Sequence, residues 1–276
     1  MQGKSFRWGV AYQIVDNWQN AVLWRSKVIK NPPNRYLADP FVISKDGSHI
    51  CFVEDYDYLT SKGRITAFKI SADSCVELGV ALEEPFHLSY PFLFEEAGEL
   101  FMCPESRMSK EIRLYKCIEF PLRWKLHKVL MSNVSAADTS IFKFGNKWWM
   151  LTNIDSSGLD EHCSELHIFH ADTCDASDWI PHRSNPVIFD SLRARNGGLV
   201  LDGNDIYRVF QVQGFDMYGE SMGIAKIKEL NAETYAEELL SPIPAKFFSD
   251  LKGTHTFSFN KGLLALDFLR IERHNN

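Results

Sequence analysis

Asp39-Pro-Phe-Val-Ile43 and Asp138-Thr-Ser-Ile-Phe142 follow one pattern, a polar residue leading a short β-prone run. Tyr90-Pro-Phe-Leu-Phe94, Asn196-Gly-Gly-Leu-Val200 and His255-Thr-Phe-Ser-Phe259 repeat it in looser form. The five segments lie 48 to 59 residues apart, a period that marks a repeat architecture. Each is followed by a second apolar run that ends in a polar residue: Ile-Cys-Phe-Val-Glu54, Phe-Met-Cys-Pro-Glu105, Trp-Met-Leu-Thr-Asn153, Arg-Val-Phe-Gln211 and Leu-Ala-Leu-Asp267. Asp46-Gly47, Ala97-Gly98, Gly145-Asn146 and Gly203-Asn204 supply hairpin turn chemistry between the runs.

A third β-prone segment follows in four units, at 63–70, 111–118, 164–171 and 223–230. Three or four strands repeated five times define propeller blades, whereas a two-sheet sandwich needs only seven to nine strands in all. The expected fold is therefore all-β: a five-bladed β-propeller with about four-stranded antiparallel blades around a central channel. Residues 1–276 form one domain in this reading, with blades opening near 39, 90, 138, 196 and 255. The last blade has two clear strands and a short tail, so a strand around 6–13 is expected to close the ring. Only 232–240 reads as helical. Nucleotide-binding patterns of the GxGxxG or P-loop kind are absent from the sequence.

Net charge of −6 argues against a surface that tracks phosphate backbones, so nucleic acid is not an expected partner. The sequence has no run of 18 apolar residues and no leader-like amino terminus, so neither a membrane span nor secretion is expected. Six cysteines, at 51, 75, 103, 117, 163 and 174, show no close metal-type pairing and read as free thiols of a reducing, cytoplasmic compartment. Neither a metal nor a cofactor is expected.

In a propeller the first strand of every blade lines the channel, so Asp39, Tyr90, Asp138, Asn196 and His255 are expected to converge on one mouth. Glycoside chemistry needs one carboxyl that gives a proton and another that stays ionised. Asp39, Asp138, Glu54 and Glu105 are the candidates, and repulsion among them in a narrow mouth would separate their proton affinities. Arg107 and Arg195 bring positive charge suited to an acidic sugar or sugar phosphate. Tyr56, Tyr58, Tyr90 and Tyr218 are candidates to stack on sugar rings. Trp148 and Trp149 read as core, and His162, His167, His170 and His182 as surface or strand residues.

Ala38-Asp39-Pro40 and Ala137-Asp138-Thr139-Ser140 resemble the catalytic strands of the five-bladed furanosidase superfamily of glycoside hydrolases, families 43 and 32. That resemblance implies a general base or nucleophile at Asp39, an orienting role for Asp138, and for His255 a place facing a central ion or water cluster. It fails in blade four: where those enzymes carry a general-acid Glu, this sequence has Arg195-Asn196-Gly197-Gly198, so that the nearest substitutes for the proton donor are Glu105, taken first, and Glu54. A match over nearly the whole chain is carried by Arg35-Tyr-Leu-Ala-Asp-Pro40, Phe52-Val-Glu-Asp-Tyr56, Trp148-Trp-Met-Leu-Thr-Asn153, Glu165-Leu-His-Ile-Phe169 and Arg193-Ala-Arg-Asn-Gly-Gly198. These resemble the amino-terminal propeller of plant glucosamine inositolphosphorylceramide transferases.

The expectation is a carbohydrate-active propeller that transfers or hydrolyses a glycosyl unit in polysaccharide metabolism. Asp39, Glu105 and Asp138 are the catalytic candidates; Glu54, Tyr90, Arg107, Arg195, Asn196 and His255 are the substrate-binding ones. A partner glycosyltransferase domain or protein is compatible with it. The alternative is a non-catalytic glycan-binding propeller serving a glycosyltransferase pathway.

Overall fold

The computed structural model describes residues 4–273 of the chain. Their strands form five separate antiparallel sheets. Blade one runs outward from the channel as Arg35–Lys45, Ser48–Asp57, Lys62–Ile70 and Cys75–Leu82; blade two as Ser89–Glu96, Glu99–Glu105, Glu111–Glu119 and Arg123–Ser132. Blade three is Ala136–Phe144, Lys147–Ile154 and Glu165–Ala171, with two short outer pieces, Ile180–Pro181 and Ile188–Phe189. Blade four is Asn196–Asp202, Asp205–Val212, Ser221–Leu230 and Tyr235–Pro244.

Blade five is assembled from both ends of the chain. Phe257–Asn260 and Leu251–Gly253 pair with Leu263–Arg273, which pairs along its length with Lys4–Ile14, and Lys27–Ile29 lies outside. The expected closing strand is thus present and longer than 6–13. It removes the open sheet edge that an unclosed propeller would expose.

The hairpins are tight because both central residues adopt the left-handed conformation: φ is +51° and +72° at Asp46-Gly47, and +51° and +81° at Ala97-Gly98. Residues 232–240 are not helical. Although Ala-Glu-Glu-Leu-Leu favours a helix, the Asn231 side chain accepts the Glu233 and Thr234 amides and closes a turn instead. Tyr235–Pro244 then pairs as the outer strand of blade four. Pairing is reinforced by Glu237, which binds the wholly buried Arg208 guanidinium through two bonds of 2.8 and 2.9 Å.

Every blade opens on an irregularity, which in blade five is the break at 254–256 between Leu251–Gly253 and Phe257–Asn260. Register slips follow Ala38, Ser89 and Ala137, and in each slip sits a non-glycine residue with positive φ: Asp39 at +48°, Tyr90 at +44° and Asp138 at +49°. Such backbone costs on the order of 1–3 kcal/mol and persists where its surroundings over-determine it. Blade four uses glycine instead. A Cβ on Gly197 would lie 2.3 Å from the His255 carbonyl, and one on Gly198 2.2 Å from that of Phe257, so blades four and five meet backbone to backbone. Aromatic side chains fill the channel below, with Phe41 edge-on to both Tyr90 and Phe92.

Candidate functional site

The second strand of each blade carries a buried polar residue where it reaches the channel mouth: Glu54, Glu105, Asn153, Gln211 and Asp267. Glu54 and Glu105, with the blade-opening Asp39, Asp138 and His255, line a cavity of about 310 Å³, while Asn153, Gln211 and Asp267 brace the opening residues from behind. Asp267 organises the seam between blades five and one. It accepts the backbone N–H groups of His255 (2.8 Å), Thr256 (3.0 Å) and Asp39 (3.2 Å), and its Oδ2 meets His255 Nδ1 directly. Asp39 accepts from Thr256 Oγ1 at 2.7 Å and from the Tyr90 N–H at 3.2 Å, tying three blades together. Among the described residues, ligand atoms of Asp39, His255 and Asp267 converge within 4.8 Å, close enough to hold a cation.

Across the mouth, Asp138 Oδ2 accepts from Arg195 Nε at 2.6 Å and from Gln211 Nε2 at 2.9 Å. Arg195 also lies 3.8 Å from Glu105 Oε2 and over the Tyr218 ring. Glu105 accepts from Arg107 Nε at 3.1 Å, and Arg107 reaches on to Asp160 in blade three. Glu54 accepts from the Tyr36 hydroxyl at 3.3 Å and lies 3.4 Å from His87. Two aromatic walls flank these groups: Tyr36 stacked on Tyr56, and Trp8 stacked on His255 with Tyr218 edge-on to both.

Burial in this mouth separates the carboxyl groups. Glu105 is pushed up to about 8, chiefly by desolvation and then by Asp138, against the pull of Arg195 and Arg107. Asp39 is pushed up to about 6 by desolvation, with His255 opposing and Asp138 and Asp267 adding to it. Glu54 is held well above the usual range by burial, then by Asp39 and Glu105. For His255 burial disfavours the imidazolium, but Asp267 and Asp39 outweigh it and raise the proton affinity. His87 is depressed to about 4 by burial and by Arg107.

Of the residues singled out in the sequence, Asp39, Glu54, Glu105, Arg107, Asp138, Arg195 and His255 all line this cavity. Tyr90 and Asn196 do not. The Tyr90 ring packs in the core against Phe41, with its hydroxyl 3.1 Å from Ser140 Oγ. Asn196 is buried as a brace, its Nδ2 donating to the Asp138 carbonyl at 2.9 Å. His162, read as a surface or strand residue, is buried at the cavity wall and bonded to Ser135. Trp8, Tyr36, His87 and Asp160 also line the cavity and carry no sequence signal of their own. Asp267 did carry one, since it ends the fifth second-strand run in register with Glu54 and Glu105.

The fold and its acid-lined channel mouth define the class: a five-bladed propeller of the architecture found among glycoside hydrolases. The structure is similar to sucrose-6-phosphate hydrolase from Lactobacillus gasseri, with TM-score 0.60 and 15% identity over 86% of this chain and 58% of that one. It is also similar to the catalytic domain of a family 62 α-L-arabinofuranosidase from Coprinopsis cinerea, with TM-score 0.59 and 12% identity over 97% of each chain. At such identities the likeness is one of fold. Sequence is more specific: residues 4–266 match the family described as glucosamine inositolphosphorylceramide transferase 1, N-terminal, and the chain belongs to that family. Glucosamine inositolphosphorylceramide transferase 1 of Arabidopsis thaliana is 33% identical over 232 residues, 82% of this chain and 29% of the relative. The chain therefore spans under a third of that relative's length.

Proposed function

We propose that this chain is a carbohydrate-active propeller that transfers or hydrolyses a glycosyl unit of a glycan or glycoconjugate in the channel mouth. One observation carries the reading: two carboxyl groups on the same cavity have separated proton affinities, Glu105 near 8 and Asp39 near 6. At neutral pH the first holds its proton and the second is ionised, the division of labour that glycosyl chemistry needs. Glu105 gives its proton to the glycosidic oxygen as the bond to the anomeric carbon breaks. Asp39 either takes the proton of an attacking hydroxyl or itself bonds to the anomeric carbon, and Asp138 orients the site through Arg195 and Gln211.

Glu54, Arg107, Arg195 and His255 surround the substrate, and the two guanidinium groups suit a sugar bearing a carboxylate or phosphate. Six free cysteines support a reducing compartment, the cytoplasm. The transferase name of the relatives supports a partner glycosyltransferase domain or protein. A second reading, a glycan-binding module without turnover, is supported by Asp39, both of whose carboxylate oxygens already serve as blade-to-blade acceptors.

The two readings separate in a screen of furanosides, acidic glycans and activated sugar donors with wild type, Asp39→Asn and Glu105→Gln. Product from wild type that falls about 100-fold to 10,000-fold in both variants supports the enzyme. Product unchanged in both removes the assignment, and tight glycan binding with no product from any of the three establishes the binding module.

A further inference from the structure

The loops that follow the second strands of blades one to four leave the sheets on the mouth side, because those strands carry Glu54, Glu105, Asn153 and Gln211 at or near their ends. Each loop carries a large apolar side chain at its tip: Leu59 is 80% exposed, Met108 66%, Leu159 83% and Phe215 105%. Residues of three of these loops line the cavity itself, namely Arg107, Asp160 and Tyr218. One apolar tip per blade thus rims the mouth, and in blade five the corresponding place is taken by the strand ends at Lys4 and Arg273.

These tips are held outward by their own loops. Leu59 N–H donates to Asp57 Oδ1 at 2.8 Å. Met108 sits in a 3₁₀ turn whose ends are pinned by Ser106 Oγ on the Glu111 carbonyl and Ser109 Oγ on the Ser106 carbonyl, both at 2.7 Å. Asp155 gathers the amides of Ser157, Gly158 and Asp160 and so presents Leu159. The Phe215 loop is closed by Gly214 N–H on the Met217 carbonyl at 2.9 Å. Ordered turns around one mouth thus hold leucine, methionine and phenylalanine side chains clear of the fold.

We propose that the mouth face docks on a lipid bilayer with neutral headgroups, the four tips entering the headgroup–acyl boundary. Two features select a bilayer over a protein partner. The tips are separate points on four loops, with Lys62, Lys110, Glu161, Asp216 and Glu220 between them, rather than the continuous apolar core of a protein interface. Insertion of isolated side chains between headgroups tolerates that polar interruption. The loops at 155–163 and 213–220 are acidic, which disfavours anionic lipids. Docking would open the cavity at the membrane surface, and it stands independently of the catalytic reading above.

The test is co-sedimentation of the full chain with phosphatidylcholine vesicles, and with vesicles containing phosphatidylserine, alongside a variant with Leu59, Met108, Leu159 and Phe215 all changed to Ser. Wild type should partition onto phosphatidylcholine, adding phosphatidylserine should not strengthen it, and the variant should lose at least 100-fold in partitioning. Circular dichroism melting, unchanged in the variant, excludes misfolding, and single Leu159→Ser and Phe215→Ser variants should each lose about tenfold. The proposal is overturned by wild type that stays in solution, by binding that survives the four substitutions, or by binding that needs phosphatidylserine. Self-association of wild type abolished in the variant, without vesicle binding, equally overturns it and makes the rim a protein contact. Turnover of a soluble glycoside, measured on the same variant, separates failure of docking from failure of the catalytic reading.

Discussion

Arg195 Nε and Asp138 Oδ2, 2.6 Å apart, join the residue that opens blade three to the one just before the start of blade four. The same guanidinium faces Glu105, Cys163 and the Tyr218 ring, so one side chain neutralises and orders half of the mouth. Arg195→Ala is expected to destabilise the fold by about 3–5 kcal/mol, because it strands buried carboxylate charge. Differential scanning calorimetry reads this as a fall of roughly 10 °C in Tm. Arg195→Lys should recover little of it, since an ammonium cannot reproduce the planar set of contacts.

Stability should fall as the solution becomes alkaline. Glu105 ionises near 4.5 in the unfolded chain and near 8 in the fold, so its contribution is complete below about 4.5 and is lost as pH rises through 8. Asp39 behaves likewise between 3.8 and about 6. His87 has the opposite sign: lowered from 6.5 to about 4, it contributes above 6.5 and loses that contribution as pH falls toward 4. Melting curves from pH 6 to 9 should show a declining midpoint in wild type and a flatter profile in Glu105→Gln. An unaltered slope in that variant places the titration elsewhere.

Turnover, in the catalytic reading, needs ionised Asp39 together with protonated Glu105. A kcat/KM profile with limbs near pH 6 and pH 8 is expected. Arg195→Met, by removing a charge that pulls Glu105 downward, should carry the alkaline limb to higher pH.

The seam between blades four and five depends on having no side chain at 198. Gly198 combines φ of +134° with a would-be Cβ 2.2 Å from the Phe257 carbonyl, so Gly198→Ala forces two backbones apart. A loss of several kcal/mol or insoluble expression is expected, whereas Gly203→Ala, at an open turn with φ of +61° and nothing within 4 Å, should cost about 1 kcal/mol. Urea denaturation of the two variants side by side checks the contrast.

Deleting residues 1–14 removes the strand paired with Leu263–Arg273 over eleven register positions from Lys4 to Ile14. The shortened chain should melt well below wild type or aggregate through the bared edge. Equal melting temperatures would show that the ring holds without this strand.

Much of this architecture was legible in the sequence because a propeller repeats its local instructions: turn glycines, β-prone runs and a polar residue at each blade opening. Where pairing overrides propensity, local reading fails, as at 232–240, where an Asx-type turn and Glu237 on Arg208 impose a strand. Seven of the nine singled-out site residues meet in the cavity because they lie on, or directly beside, the inner strands and the mouth ends of the second strands. Tyr90 could not be read correctly from position: it shares the slip and positive φ of Asp39 and Asp138, but its apolar ring packs in the core against Phe41 and its hydroxyl finds Ser140 there. His162, Asp160 and Tyr36 reach the mouth through loop paths and sheet neighbours that no period encodes.

Lys4 and Arg273 are register partners at one end of the strand pair that closes the ring, and Ile14 and Leu263 are partners at the other. A load applied between the described ends of the chain would act across the ladder and not along it. Its hydrogen bonds would then break one after another from the mouth downward, like a zip, instead of resisting together in shear. The closure that makes this ring hold against heat is therefore mechanically compliant, opening under a pull that a sheared pair of equal length would withstand.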